Sequence, residues 1–150
     1  MNGLLMTIAR SPAAQADDLD AVTARVTAAT GFNLVRRSHV VAVLEHPLIA
    51  GRLTVYCSPA GSHVSGHCPG LYPDRAFFDF VARAGSAVTG DPAWVLEPTL
   101  TKCHAQALRT LTANEPNAHA DGFGVGRSEM ECDVHGHSGG GSSLTISKRQ

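Results

Sequence analysis

Apolar residues recur at helical spacing in the first part of the chain, at Leu19, Val22, Val26 and Ala29. Ser11 followed by Pro12 is typical of a helix start, because serine caps free N–H groups and proline suits the first turn. Gly31 is typical of a helix end. The pattern therefore predicts a helix between Pro12 and Gly31, and the short apolar stretch Leu4–Ile8 before it predicts a strand.

Two segments that follow have the character of strands. β-Branched residues are dense from Asn33 to Leu44, with an interruption at the charged segment Arg36–Ser38. A turn is predicted over Glu45–Gly51, and Arg52–Cys57 predicts another strand.

The second half of the chain divides into six further segments. The aromatic run within Arg75–Ala84 favours a strand, and Asp91-Pro92 opens a helix that Pro98 should bend or break and that ends near Asn114. A loop over Glu115–Gly122 is followed by strands Phe123–Val134 and Ser143–Ser147, which flank a flexible segment, Gly136–Gly141. The order β-α-β-β-β-α-β-β predicts an α+β fold, an antiparallel sheet with helices packed on one face as a two-layer sandwich, in a single domain spanning residues 1–150.

Composition narrows the classes of partner. The chain is 43% hydrophobic and 17% charged, and 12 basic against 13 acidic residues leave a formal net charge of −1. This balance provides no basic surface for nucleic acid or an anionic membrane, so neither is expected as a partner. Four cysteines are too few for a disulfide scaffold, and no apolar run has signal or membrane-spanning length. We therefore expect a cytoplasmic protein with reduced thiols.

The segment Gly61–Cys68 carries the most distinctive chemistry, a serine followed by two histidines four residues apart. Because Gly61 has no side chain, its carbonyl is open to attack by the hydroxyl of Ser62. A nearby imidazole, such as that of His67, could move the protons. These groups are the minimum required for self-cleavage at a serine.

The same segment resembles the bacterial S-adenosylmethionine decarboxylases, which generate their own pyruvoyl cofactor. The resemblance is carried by Ser62, His63, Val64, Ser65, His67 and Asp79, the last within the run Ala76–Phe80. The order of elements between residues 4 and 113 is also similar. The chain departs from the family pattern in four places. Gly61 replaces a glutamate, Pro69-Gly70-Leu71 replaces Trp-Pro-Glu, and Arg83 or Ala84 replaces a cysteine acid. The acidic substrate-binding residue expected in the first strand falls among Met6, Thr7 and Ile8.

The resemblance implies a pyruvoyl-dependent decarboxylase that cleaves itself between Gly61 and Ser62. Ser62 would become the pyruvoyl group, whose ketone forms a Schiff base with the amine of a small substrate and accepts electrons as carbon dioxide leaves. His67 would assist processing, Thr54 would supply a second hydroxyl, and Cys68 or Cys57 would replace the missing acid. S-adenosylmethionine, a related amine or an amino acid is the implied substrate, in polyamine metabolism, and the implied assembly is a homodimer.

Alternative interpretations stay open at this point. Side chains alternate along a strand, so Ser62 and His67 share a face only if the chain bulges, for example at Gly66. The segment could instead be a surface turn in an uncleaved, non-catalytic homologue or in an unrelated small protein-binding module. Two clusters have zinc-ligand chemistry, Cys57, His63, His67 and Cys68 in one and Cys132, His135 and His137 in the other. Neither has finger-like spacing, and no metal is assigned.

The aromatic residues Phe77, Phe78, Phe80 and Trp94 are expected in the core.

Overall fold

A computed structural model of the chain describes residues 12–137 and 140–149, with side chains from Asp18 onward. The helices are α1 (Pro12–Thr30), α2 (Arg75–Thr89) and α3 (Ala93–Thr110). The strands are β1 (Asn33–Arg37), β2 (Val41–Glu45), β3 (Arg52–Ser58), β4 (Gly61–Pro69), β5 (Asn117–Val125), β6 (Ser128–His135) and β7 (Gly141–Lys148). The strand predicted at Leu4–Ile8, and Ser11, lie outside the described residues.

Seven strands form one antiparallel sheet in the order β1-β2-β3-β4-β7-β6-β5. The three helices lie side by side on one face, α1 over β2 and β3, α2 over β4 and β7, and α3 over β6 and β5. The predicted α+β class, with helices packed on one face of an antiparallel sheet, is confirmed. No helix among the described residues is long and apolar enough to cross a membrane.

The two faces of the sheet have opposite chemistry, because alternate residues of each strand point to opposite sides. On the side that we call the helix face, Leu53, Val55, Val64, Met130, Leu144 and Ile146 are fully buried against the helices. The side that we call the polar face presents Arg52, Thr54 and Tyr56 from β3, His63, Ser65 and His67 from β4, Ser143, Thr145 and Ser147 from β7, and Glu129, Glu131, Asp133 and His135 from β6.

Several predicted elements are present. α1 ends before Gly31, whose φ of 77° suits glycine and whose N–H donates to the carbonyl of Thr27. An interruption is present within residues 33–44, but it lies later than the predicted Arg36–Ser38: Arg36 and Arg37 belong to β1, and the connection to β2 covers residues 38–40. The turn over Glu45–Gly51 and the strand from Arg52 are confirmed, and β7 contains the strand predicted at Ser143–Ser147.

The strand predicted at Arg75–Ala84 is wrong, because this segment forms the first part of α2. Its three phenylalanines lie within four residues, which is typical of a buried strand, but the burial continues with helical spacing through Val81, Ala84 and Val88. The aromatic cluster is not all core either. Phe77 and Phe78 are buried, whereas Trp94 is 77% exposed at the start of α3.

Two further predictions need correction. α3 continues through Pro98, which removes one backbone donor, and it ends at Thr110 rather than near Asn114. The loop predicted over Glu115–Gly122 is mostly β5, an edge strand with an irregularity between Ala120 and Phe123. An edge strand tolerates polar residues because one of its sides faces solvent. The single strand predicted over Phe123–Val134 is the end of β5, a turn and most of β6.

The expectation of reduced thiols is also wrong. Cys103 in α3 and Cys132 in β6 form a buried disulfide, with Cα atoms 5.9 Å apart and a sequence separation of 29. The bond connects the helix layer to the sheet. Cys57 and Cys68 remain free thiols.

Candidate functional site

The predicted cleavage site lies at the start of β4, immediately after the two-residue turn that joins it to β3. Gly61 has a φ of 133°, a conformation that favours glycine, and its carbonyl accepts a hydrogen bond of 3.2 Å from the hydroxyl of Ser58. Ser62 is half-buried on the helix face, where its hydroxyl donates to the Sγ atom of Cys57 at 3.3 Å. The segment is therefore a strand between β3 and β7, and not a surface turn.

His67 lies on the other side of the same strand. β4 pairs in continuous register with β3 and β7, without a bulge at Gly66, so Ser62 and His67 point to opposite faces. Thr54 is buried on the polar face, opposite Ser65, and so is also on the other side of the sheet from Ser62. The structure brings together neither Ser62 with His67 nor Ser62 with Thr54.

Gly66 has a packing role instead. A Cβ atom at this position would overlap Cγ2 of Val81 and would lie 3.1 Å from the ring of Phe77. The missing side chain lets α2 approach the sheet closely at the centre of the helix face. Close packing against α2 therefore explains why residue 66 in the segment Gly61–Cys68 is a glycine.

A cavity of about 540 Å³ opens at one end of the polar face, where β4 ends and β7 begins. Its lining residues are Glu45, Gly51, Arg52, His67, Cys68, Pro69, His135, Gly140, Gly141, Ser142 and Ser143. The volume is in the range of small-molecule sites. Two of the predicted site residues, His67 and Cys68, line this cavity, although their side chains alternate between the two faces of β4.

His67 is held in this cavity by a short cross-strand contact. Its Nδ1 atom lies 2.6 Å from the hydroxyl oxygen of Ser143, the residue directly opposite on β7. Burial, and secondly the positive charge of Arg52, lower the pKa of His67 below its ordinary value of about 6.5. The imidazole is therefore neutral at pH 7, and when Nδ1 accepts the Ser143 proton, Nε2 carries a hydrogen.

Arg52 supplies the positive charge at the cavity. It is exposed and lies between Glu45 on β2 and His67 on β4 in the sheet register. Among the residues that the structure describes, no carboxylate lies within 4.0 Å of its guanidinium. The guanidinium therefore keeps its fork of N–H groups available to a ligand.

Beyond Ser143, the same cross-strand row continues with charged partners. Asp133 lies opposite Ser143, and His119 lies opposite Asp133 with an Nδ1–Oδ1 distance of 2.7 Å. The hydrogen bond to Asp133, and more weakly the interactions with Asp121, raise the pKa of His119. His135 also reaches the cavity, and its Nδ1 atom is 2.9 Å from Oδ1 of Asn117.

Cys68 shares the cavity wall but has a different environment. Burial, and secondly the charge of Asp74, raise the pKa of its thiol. The thiol is therefore protonated at neutral pH and is a weak nucleophile there.

Sequence reasoning missed three residues of this region: Arg52, Ser143 and His104. His104 is buried in α3, with Nε2 3.3 Å from the hydroxyl oxygen of Ser142, which itself donates to the carbonyl of Gly70. It supports the cavity from the helix side. His104 directly follows Cys103 in the apolar stripe of α3, so its position gives no sign of a role at the cavity. Ser143 is 76 residues from His67, so no local sequence pattern connects Ser143 with His67.

The clusters with zinc-ligand chemistry are divided between faces. Cys57 and Cys68 point to the helix face, whereas His63 and His67 point to the polar face. In the second cluster, Cys132 is part of the disulfide. Within residues 12–137 and 140–149, no group of three histidine, cysteine or acidic side chains is placed to hold a metal ion.

Comparison of the chain with protein-family models, curated proteins and solved structures finds no match.

Proposed function

We propose that this protein binds a small monocarboxylate in the cavity at the end of the polar face. The observation that carries the proposal is the guanidinium of Arg52, which lies beside the neutral imidazole of His67 and has no carboxylate partner among the described side chains. Arginine binds carboxylates through two parallel hydrogen bonds.

The other lining groups restrict the ligand. His67 can donate from Nε2, because Nδ1 is occupied by Ser143. Glu45 also lines the cavity, and its negative charge opposes a ligand with several anionic groups. Glycines at positions 51, 140 and 141 complete the lining, and each packs closely against the backbone of a neighbouring residue. A small molecule with one carboxylate fits this balance best.

Binding can be measured by NMR titration with butyrate, with the neutral isostere butyramide as a matched ligand. We expect butyrate to shift the amide signals of His67 and Ser143, and Arg52→Gln to weaken its binding by at least about 10-fold, because a charged hydrogen bond contributes about 1.5–3 kcal/mol. Arg36→Gln, in the exposed strand β1, should leave affinity unchanged. Equal shifts with butyramide, or full affinity in Arg52→Gln, would refute the proposal.

The pyruvoyl-dependent decarboxylase-like function is a second candidate. One contact supports it: the hydroxyl of Ser58 donates to the carbonyl of Gly61, the group that Ser62 would attack. Such a hydrogen bond polarises a carbonyl and stabilises the oxyanion that forms on attack. The proton would need a carrier other than His67, which lies on the opposite face.

Intact mass spectrometry tests self-cleavage directly. Processing would yield fragments of 61 and 89 residues, the second with a ketone at its start that reacts with borohydride, and Ser62→Ala would remain whole. A single uncleaved species from the wild-type chain would reject this candidate and leave the binding proposal intact.

Partners and compartment remain predictions. The resemblance implies a homodimer, and the composition predicts a cytoplasmic location. Disulfides persist mainly in oxidising compartments, so the pair Cys103 and Cys132 favours such a compartment over the predicted cytoplasm.

A further inference from the structure

Ser143 and His67 have the arrangement of a nucleophile and its base. The distance of 2.6 Å between Oγ and Nδ1 is short for a hydrogen bond, and both side chains line the cavity. Both residues are half-buried, so the hydroxyl is within reach of a ligand while the imidazole is partly shielded from water. A serine hydroxyl requires such a base to become nucleophilic.

The protonation state of His67 suits this role. Because burial lowers its pKa, the imidazole is neutral at pH 7 and Nδ1 can accept a proton. The neighbouring hydroxyl pair provides an internal comparison. Ser65 and Thr145 are also 2.6 Å apart across β4 and β7, but that contact contains no imidazole. Of these two pairs, the one formed by Ser143 and His67 has both a hydroxyl and a base, and it lines the cavity.

We infer that Ser143 and His67 hydrolyse small esters that carry one carboxylate. The inference rests on the proposed function, since Arg52 would hold the carboxylate of the ester in the same cavity. Ser143 Oγ would attack the ester carbonyl while its proton passes to Nδ1 of His67. The acyl–oxygen bond would break, and the alcohol would leave with that proton. Water would then cleave the acyl-serine, returning a proton to Ser143 through His67 and releasing a carboxylic acid.

The test uses the purified full chain and mono(4-nitrophenyl) succinate, an ester with one free carboxylate. We expect hydrolysis above the buffer rate, and Ser143→Ala should reduce kcat/KM by at least about 100-fold. Ser65→Ala, in the pair without an imidazole, is the matched control and should keep the wild-type rate. His67→Gln should lose activity as Ser143→Ala does.

A covalent probe makes the result independent of how well the variants fold. A fluorophosphonate should label the wild-type chain once, on the peptide that contains Ser143, and butyrate should slow the labelling. Labelling elsewhere, or activity retained in Ser143→Ala, would overturn the inference.

Butyrate titration separates this inference from the binding proposal. If the wild-type chain binds butyrate but neither hydrolyses the ester nor takes the label, the dyad is refuted and the binding site stands. If it does not bind butyrate, the proposed function fails, and so does the choice of carboxylate-bearing esters as substrates.

Discussion

Alternate side chains of β4 meet two different environments. On the helix face, Val64 is fully buried and Gly66 lies against Val81 and Phe77 of α2. On the polar face, His63 stacks on Tyr56 with ring centroids 4.5 Å apart, and His67 contacts Ser143. The helix face therefore contributes mainly burial of apolar surface, whereas the polar face contributes hydrogen bonds and a cavity.

β7 shows the same division, and its adjacent residues provide the largest expected contrast. Leu144 is fully buried on the helix face, and Thr145 is half-buried on the polar face. We expect Leu144→Ala to lower the free energy of unfolding by about 2–5 kcal/mol, because it removes buried contacts and leaves a void. Thr145→Ala loses the hydroxyl contact with Ser65 and one methyl group of a half-buried side chain, and should cost about 0.5–1.5 kcal/mol.

Denaturant unfolding of both variants measures this contrast. The two substitutions are neighbours in one strand, so any effect of strand position is shared. Equal losses of stability would show that the two faces do not differ in the way that their burial indicates.

Gly66 tests whether close packing of α2, rather than chemistry, requires glycine in β4. We expect Gly66→Ala to cost about 1–3 kcal/mol, because the added methyl group overlaps the side chain of Val81. In a chain that already carries Val81→Ala, the same change should cost less, since the space is then available. Unfolding of the two single variants and the double variant gives this coupling free energy. Purely additive costs would contradict the packing role.

Sequence reasoning predicted the helix face better than the polar face. The spacing of Leu19, Val22 and Val26 predicts α1 because burial against a flat sheet requires a single apolar stripe. The same reasoning failed at α2, where three phenylalanines within four residues obscured the helical period, and at β5, where an edge position permits a polar strand.

The candidate site was predicted only in part. His67 and Cys68 stood out because they lie close together in sequence, and both line the cavity. Ser143 could not be connected with His67, because their contact depends on β7 pairing with β4 after two intervening helices and two intervening strands. The pairing of Cys103 with Cys132 likewise depends on where α3 lies over β6.

Two histidines offer the smallest and most specific test of the contrast between the faces. On the helix side, burial lowers the pKa of His104, although a hydrogen bond to the backbone of Leu71 partly opposes this. On the polar face, the hydrogen bond to Asp133 raises the pKa of His119. His104 therefore adds stability that is complete above the unfolded pKa of about 6.5 and is lost as the pH falls below it. His119 adds stability that is complete below about 6.5 and is lost as the pH rises through its raised folded-state pKa.

The free energy of unfolding of the wild-type chain, His104→Gln and His119→Gln between pH 5 and 8 separates the two effects. We expect the wild-type advantage over His104→Gln to shrink as the pH falls from 6.5, and the advantage over His119→Gln to shrink as the pH rises above 6.5. Neither slope can exceed about 1.4 kcal/mol per pH unit, the limit for one proton. Because His119 is exposed, salt should reduce its effect but leave that of buried His104 nearly unchanged. Slopes of the same sign for both histidines would contradict the opposite environments that the two faces provide.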